Sequence, residues 1–134
     1  MSTHTSTPTN LARSTVRDAM QLGLFECEPD TDLRTVARIM ATKRIHCVVV
    51  AGERWGIVSD LDLMRALTPG LEEARAGHIA ATDVVAVKPA DTLEHAAQLM
   101  AEHDTAHLVV ASPDSGLPVG MISTLDIARA AAGA

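Results

Sequence analysis

The sequence predicts an α/β fold of two pseudo-twofold-related units, each a three-stranded sheet with flanking helices. Two observations carry this. The chain repeats itself: residues 29–50 align without a gap on 89–110 at an offset of 60, and residues 56–66 on 120–130 at an offset of 64. Pro29/Pro89, Leu33/Leu93, Ala37/Ala97, Met40/Met100, Ala41/Ala101, Val49/Val109 and Val50/Val110 are identical, seven of 22 positions, and the second block adds six of 11. Ala and Val identities are cheap here, but Gly56/Gly120, Ser59/Ser123, Leu61/Leu125, Asp62/Asp126 and Arg65/Arg129 in the same order are not. Within each repeat, moreover, apolar residues pass from helical spacing to a strand, which in the first copy is the β-branched run Ile45 to Val50. One copy alone would leave apolar helix surface bare, so two copies are expected to pack together.

The elements follow in order. Residues 24–27 form a short strand ended by Glu28-Pro29, and Asp30 or Thr31 is placed to cap a helix. Leu33, Val36, Ala37, Ile39 and Met40 give that helix one apolar face through about Thr42. Residues 45–50 read as a buried strand, Ala51-Gly52-Glu53-Arg54 as a turn, and residues 55–58 as the hairpin partner. Ser59 opens a second helix over 60–67, stopped by Thr68-Pro69-Gly70. Residues 71–79 read as a connecting helix equivalent to 13–20. The second repeat predicts strand 84–87, helix 92–103, strands 106–110 and 119–122, and helix 124–132. Its hairpin is four residues longer and carries Pro113, Asp114, Gly116 and Pro118.

The chain has 134 residues, 47% of them hydrophobic, enough for a buried core. The first unit is expected over 13–68 and the second over 69–134, after a disordered polar tail over 1–12. That tail lacks the apolar stretch of a signal peptide, and no run approaches the roughly 18–20 apolar residues of a bilayer span, so no membrane role is expected. Cys27 and Cys47 lie in apolar, strand-like surroundings and read as reduced, buried thiols of a cytoplasmic protein. A formal charge of −6, no basic cluster longer than Lys43-Arg44, and Phe25 and Trp55 as the only aromatics argue against nucleic-acid binding.

The strongest local signal is Gly56-Ile57-Val58-Ser59-Asp60-Leu61-Asp62, repeated as Gly120-Met121-Ile122-Ser123-Thr124-Leu125-Asp126. A strand ends in a hydroxyl residue at a helix N-terminus, with a carboxylate three residues on. Helix N-termini offer unpaired N–H groups to phosphate, and a carboxylate accepts the paired hydroxyls of a ribose. The glycine admits a ligand or a neighbouring backbone at close range. The competing reading is a capping box, in which Ser and Asp satisfy backbone N–H groups and bind nothing.

Strand, helix, apolar strand, hairpin, then Gly-x-x-Ser-x-x-Asp and a helix, twice over, resembles the tandem CBS domain pair, or Bateman module. The resemblance spans about 16–130, and Val16-Arg17-Asp18-Ala19-Met20 is similar to the segment leading into the family's first strand. It implies a stand-alone, non-enzymatic regulatory module binding adenosyl ligands (AMP, ADP, ATP, S-adenosylmethionine or NAD) in a cleft between units. Such a module signals to an effector protein, and a homodimer is expected. By the same resemblance Asp62 and Asp126 match the ribose acid, and Ser59 and Ser123 the phosphate-contacting hydroxyl. The adenine is implied against Gly23, Leu24, Phe25, Cys47 and Val48 in one copy, and Asp83, Val84, Val85, His107 and Leu108 in the other. Cys47 and His107 stand where the family often has Pro.

The copies differ in charge. Asp60 follows Ser59 and would repel a phosphate, whereas Thr124 follows Ser123 and adds a donor. The second site (Ser123, Thr124, Asp126) is therefore expected to bind nucleotide better than the first, with Asp126→Ala costing more affinity than Asp62→Ala. Arg65 and Arg129, one turn after the acids, are placed either to reach phosphate or, the favoured reading, to pair with the acids at i,i+3. The six histidines lack metal-ligand spacing, although His107 falls at the implied base pocket, and no catalytic constellation is present. The alternative function is a structural or protein-interaction module that binds no nucleotide.

Overall fold

The computed structural model describes residues 10–67 and 73–133. In chain order the first elements are α1 (Asn10–Arg13), α2 (Val16–Ala19), β1 (Gln21–Leu22), β2 (Glu26–Cys27), α3 (Leu33–Lys43), β3 (Cys47–Val50), β4 (Gly56–Ser59) and α4 (Asp60–Leu67). The remainder are α5 (Ala76–Ile79), β5 (Ala86–Val87), α6 (Leu93–His103), β6 (His107–Ala111), β7 (Pro118–Ser123) and α7 (Thr124–Ala131). Of the tail expected over 1–12, residues 1–9 lie outside the described residues, as do the Thr68-Pro69-Gly70 stop and residues 71–72 of the expected connecting helix, which forms only over Ala76–Ile79 because Arg75 is extended in a bridge to Asp32. Asn10 to Arg13 are a turn of helix rather than disordered tail, because Leu11 has an apolar cluster to pack against.

Two compact units separate, and their membership does not follow the chain simply. One is Leu24–Val84; the other joins the segment ending at Gly23 to the chain from Val85 onward. In the Leu24–Val84 unit the sheet order is β2-β3-β4, with β2 parallel and β4 antiparallel to β3. Every side chain of β3 is buried, which its Cys-Val-Val-Val sequence permits. Helix α3 buries Leu33, Val36 and Met40 against Val48, Val50 and Val58. Its N-cap is Asp32, whose carboxylate accepts from the Thr35 N–H at 3.0 Å. Asp30 and Thr31 do not cap it, because Thr31 is used in the preceding turn, where its hydroxyl accepts from the Glu28 N–H. The helix ends at Arg44, in the left-handed region at φ 55°.

The second unit repeats this plan. Helix α6 is capped by Thr92, buries Leu93, Ala96 and Met100, and ends at Asp104 with φ 50°. Its sheet has four strands, β1-β7-β6-β5, one more than the repeat predicts. The extra strand is β1, pairing antiparallel with β7 through Gln21↔Met121 and Leu22↔Gly120. A two-residue strand carries no readable periodicity. Gly120 admits it: a Cβ there would lie 2.7 Å from the Gln21 carbonyl oxygen. At the matching place in the first unit, Ile57 bridges Ala81, and a Cβ on Gly56 would lie 2.9 Å from the Ala81 carbonyl oxygen. The repeated glycine therefore serves a neighbouring backbone.

Candidate functional site

Each repeated Ser-x-x-Asp sits where a strand gives way to a helix. In the Leu24–Val84 unit, Ser59 ends β4 and Asp60 opens α4. The Ser59 N–H donates to Asp62 Oδ2 at 2.9 Å, and the Asp62 N–H donates to Ser59 Oγ at 3.1 Å. This is a complete capping box. It uses one carboxylate oxygen. The other, Asp62 Oδ1, has only Arg65 Nη1 at 3.9 Å among the described residues, and the side chain is 26% exposed.

The strand neighbours follow from register. Cys47 is the cross-strand partner of Ser59. The Phe25 carbonyl accepts from the Val49 N–H at 2.9 Å, and continuing the parallel register by two residues sets Leu24 level with Cys47. Ser59, Cys47, Leu24 and Phe25 are thus gathered at one end of this sheet. The Phe25 ring is partly exposed, with the Lys43 ammonium 5.3 Å from its centroid. Burial pushes the Cys47 thiol up to about 11, and the negative charge of Asp60 acts in the same direction. Asp60 is held by His46, Nδ1 to Oδ2 at 2.9 Å.

In the other unit Ser123 ends β7 and Thr124 opens α7. The Ser123 N–H and Oγ donate to Asp126 Oδ2 at 2.9 and 3.0 Å, and the Asp126 N–H donates to Ser123 Oγ at 3.2 Å. His107 faces Ser123 across β6 and β7, and Leu108 beside it is buried. The β5–β6 register, continued by one residue, sets Val85 level with Leu108. Val84 is half-buried and falls on the other side of the division between units. Thr124 is exposed, and its N–H already donates to the Ala106 carbonyl at 2.9 Å. Asp126 differs from Asp62: it is 7% exposed, and its Oδ1 accepts from Gln21 Nε2 at 3.1 Å, with Arg129 Nη1 at 4.0 Å.

The CBS domain family model matches residues 16–69 and 76–133. The chain belongs to the CBS domain family. Solved CBS structures share its fold. The CBS domain pair of protein MJ0100, in complex with 5′-methylthioadenosine and S-adenosyl-L-methionine, is 19% identical with a TM-score of 0.80, covering 94% of this chain and 98% of that one. A conserved protein from Pyrococcus horikoshii is 21% identical with a TM-score of 0.78, covering 87% and 91%. CBSX2 in complex with AMP is 24% identical with a TM-score of 0.74, covering 90% and 97%. No curated protein matches the chain in sequence.

Within this CBS pair, then, both capping boxes form and both place a hydroxyl and a carboxylate at a helix start. Arg65 and Arg129 lie at the far edge of ion-pair range from their acids, as i,i+3 partners. Among the described residues no three His, Cys, Asp or Glu side chains come together to hold a metal, and no helix is long and apolar enough to cross a membrane. Sequence reasoning missed two residues. His46 precedes β3 and gives the Asp60 carboxylate a partner, Nδ1 to Oδ2 at 2.9 Å. Gln21 precedes the aligned blocks, so its relation to Asp126 had no signal beyond the offset of 60 that pairs it with Ala81.

Proposed function

We propose that the chain is a non-enzymatic CBS regulatory module that binds an adenosyl ligand of the AMP, ADP or ATP class, or S-adenosylmethionine, and signals to a partner protein. The observation that carries this reading is the repeated junction of helix N-terminus, Ser hydroxyl and Asp carboxylate, with Cys47 or His107 directly across the strand from the Ser. Such a junction offers donors to phosphate and an acceptor to ribose hydroxyls. The proposed ligand-contacting residues are Ser59, Asp62, Leu24, Phe25 and Cys47, with Ser123, Thr124, Asp126, Val84, Val85, His107 and Leu108. The relatives solved with 5′-methylthioadenosine, S-adenosyl-L-methionine and AMP support the ligand class. The repeats 13–68 and 69–134 are the proposed sequence domains, a homodimer the proposed state, and the cytoplasm, with its reduced thiols, the proposed setting.

Calorimetry with AMP, ADP, ATP, S-adenosylmethionine and NAD tests this, with Trp55 fluorescence as a second signal. At least one ligand is expected to give saturable heat. At a hundredfold excess over Kd it should stabilise the fold by roughly 2.7 kcal/mol. The second reading, an interaction module without nucleotide, is favoured by the completeness of both capping boxes, which leaves Ser59 and Ser123 already employed. No heat and no thermal shift at millimolar ligand would establish that reading instead.

A further inference from the structure

We infer that Gln21 is a latch on Asp126, and that it makes the Ser59–Asp62 site the one that takes the adenosyl ligand first. The inference rests on the nucleotide-binding reading and adds to it which of the two acids is available.

A ribose presents two neighbouring hydroxyls, so its acid needs acceptor capacity beyond what the capping box consumes. In both units the box consumes Oδ2. The difference lies at Oδ1. Asp126 Oδ1 accepts from Gln21 Nε2 at 3.1 Å, and the carboxylate is nearly buried. A hydrogen bond to a charged acceptor is among the stronger kind. A ligand hydroxyl must displace it or share the oxygen with it. Asp62 Oδ1 has no such donor, and its side chain is four times as exposed, 26% against 6%.

The cause is one position in the repeat. Gln21 pairs with Met121 and lies 105 residues before Asp126. The offsets of 60 and 64 that relate the two copies carry Gln21 to Ala81 and Met121 to Ile57, and Ala81 bridges Ile57. At both places the backbone pairs antiparallel, as the two-residue strand β1 at Gln21 and as an isolated bridge at Ala81. At 81 the side chain is a methyl group, which donates nothing. The Asp60–His46 pair removes part of the opposing argument, because the carboxylate expected to repel phosphate at the first site already has a partner 2.9 Å away.

The test is AMP titration by calorimetry on the full chain, with S-adenosylmethionine as a second probe. Asp62→Asn and Asp126→Asn keep an acceptor for each capping box while removing the charge. Asp62→Asn is expected to abolish or strongly weaken the tighter event, and Asp126→Asn to leave it. Adding Gln21→Ala to Asp62→Asn should restore binding at the second site, tightening it about tenfold, as loss of one competing charge-assisted bond implies. A merely structural role for Gln21 would not produce that gain. The reciprocal variant, Ala81→Gln, should weaken the tighter event. Gln21 is exposed and contributes to β1 through its backbone, so Gln21→Ala is expected to fold. Loss of the tighter event in Asp126→Asn rather than Asp62→Asn overturns the latch, as does unchanged second-site affinity in Gln21→Ala. If the wild-type chain binds neither probe, the nucleotide reading fails and the latch with it; where the wild type binds, only the latch is at stake.

Discussion

Cys47 is a thiol held away from water at the end of β3 where the candidate site lies. Burial is the larger cause of its raised pKa, about 11, and the Asp60 carboxylate is the smaller. Cys27 is raised too, first by burial, with a Thr31 hydrogen bond opposing and Glu28 reinforcing, but it is only half-buried. Thiolate is the reactive form, so both are protonated at neutral pH and differ in access. A disulfide reagent at pH 7.5 is expected to modify Cys27 first and Cys47 only as fast as the chain unfolds. Equal rates in the native protein would show that Cys47 is open to solvent. The pH dependence has a definite sign. The unfolded thiol, near about 8.5, loses its proton before the folded one, so rising pH favours the unfolded state. The contribution is fully present below about 8.5 and is lost towards about 11. Urea midpoints across this window should fall in the wild type and fall less in Cys47→Ala.

At the scale of elements, β7 is fixed by what it lacks. Gly120 faces the Gln21 carbonyl across the β1–β7 pair, and a Cβ there would sit 2.7 Å from that oxygen, closer than such atoms approach. The obstacle is backbone, so a side-chain rotation does not relieve it. Gly120→Ala should lower stability by about 1–3 kcal/mol, the usual cost of overpacking, with an unchanged denaturant slope. Val119→Ala, at an exposed position of the same strand, should cost less. A wild-type midpoint for Gly120→Ala would mean that β1 does not pair in solution. Here the limits of the sequence are plain. Helices α3 and α6 were legible within a residue or two, because eleven residues carry three turns of apolar spacing; the cap of α3 was not, since Asp30, Thr31 and Asp32 all offer an oxygen at the helix start. The Ser–Asp junctions were legible because a capping box is local. The strand β1 was not, because two residues have no period and its partner lies a hundred residues away. The latch at Gln21 was hidden for the same reason.

At the scale of the whole molecule, the repeat and the compact unit are different divisions of one chain. The short leaders Val16–Ala19 and Ala76–Ile79 are equivalent in the repeat, yet the first packs with the elements after Val85 and the second with those after Leu24. Hydrogen bonds carry this membership: the Val16 N–H donates to the Asp91 carbonyl at 2.8 Å and the Arg17 N–H to Pro89 at 2.9 Å, while the Ala76 N–H donates to Thr31 and the Gly77 N–H to Pro29, each at 2.8 Å. No local sequence signal says which helix start a leader will join. Val16 is fully buried among Leu93, Leu108 and Ile122, so trimming it opens a cavity in that cluster alone. Val16→Ala is expected to cost about 2 kcal/mol. Native-state hydrogen exchange reads where that cost falls. The amides of Leu108 and Val110 should exchange about thirtyfold faster in the variant, as 2 kcal/mol implies, while those of Val48 and Val50 keep their wild-type rates. Acceleration confined to Val48 and Val50 would assign the N-terminal leader to its own repeat, and equal acceleration in both sets would mean that the two units open as one.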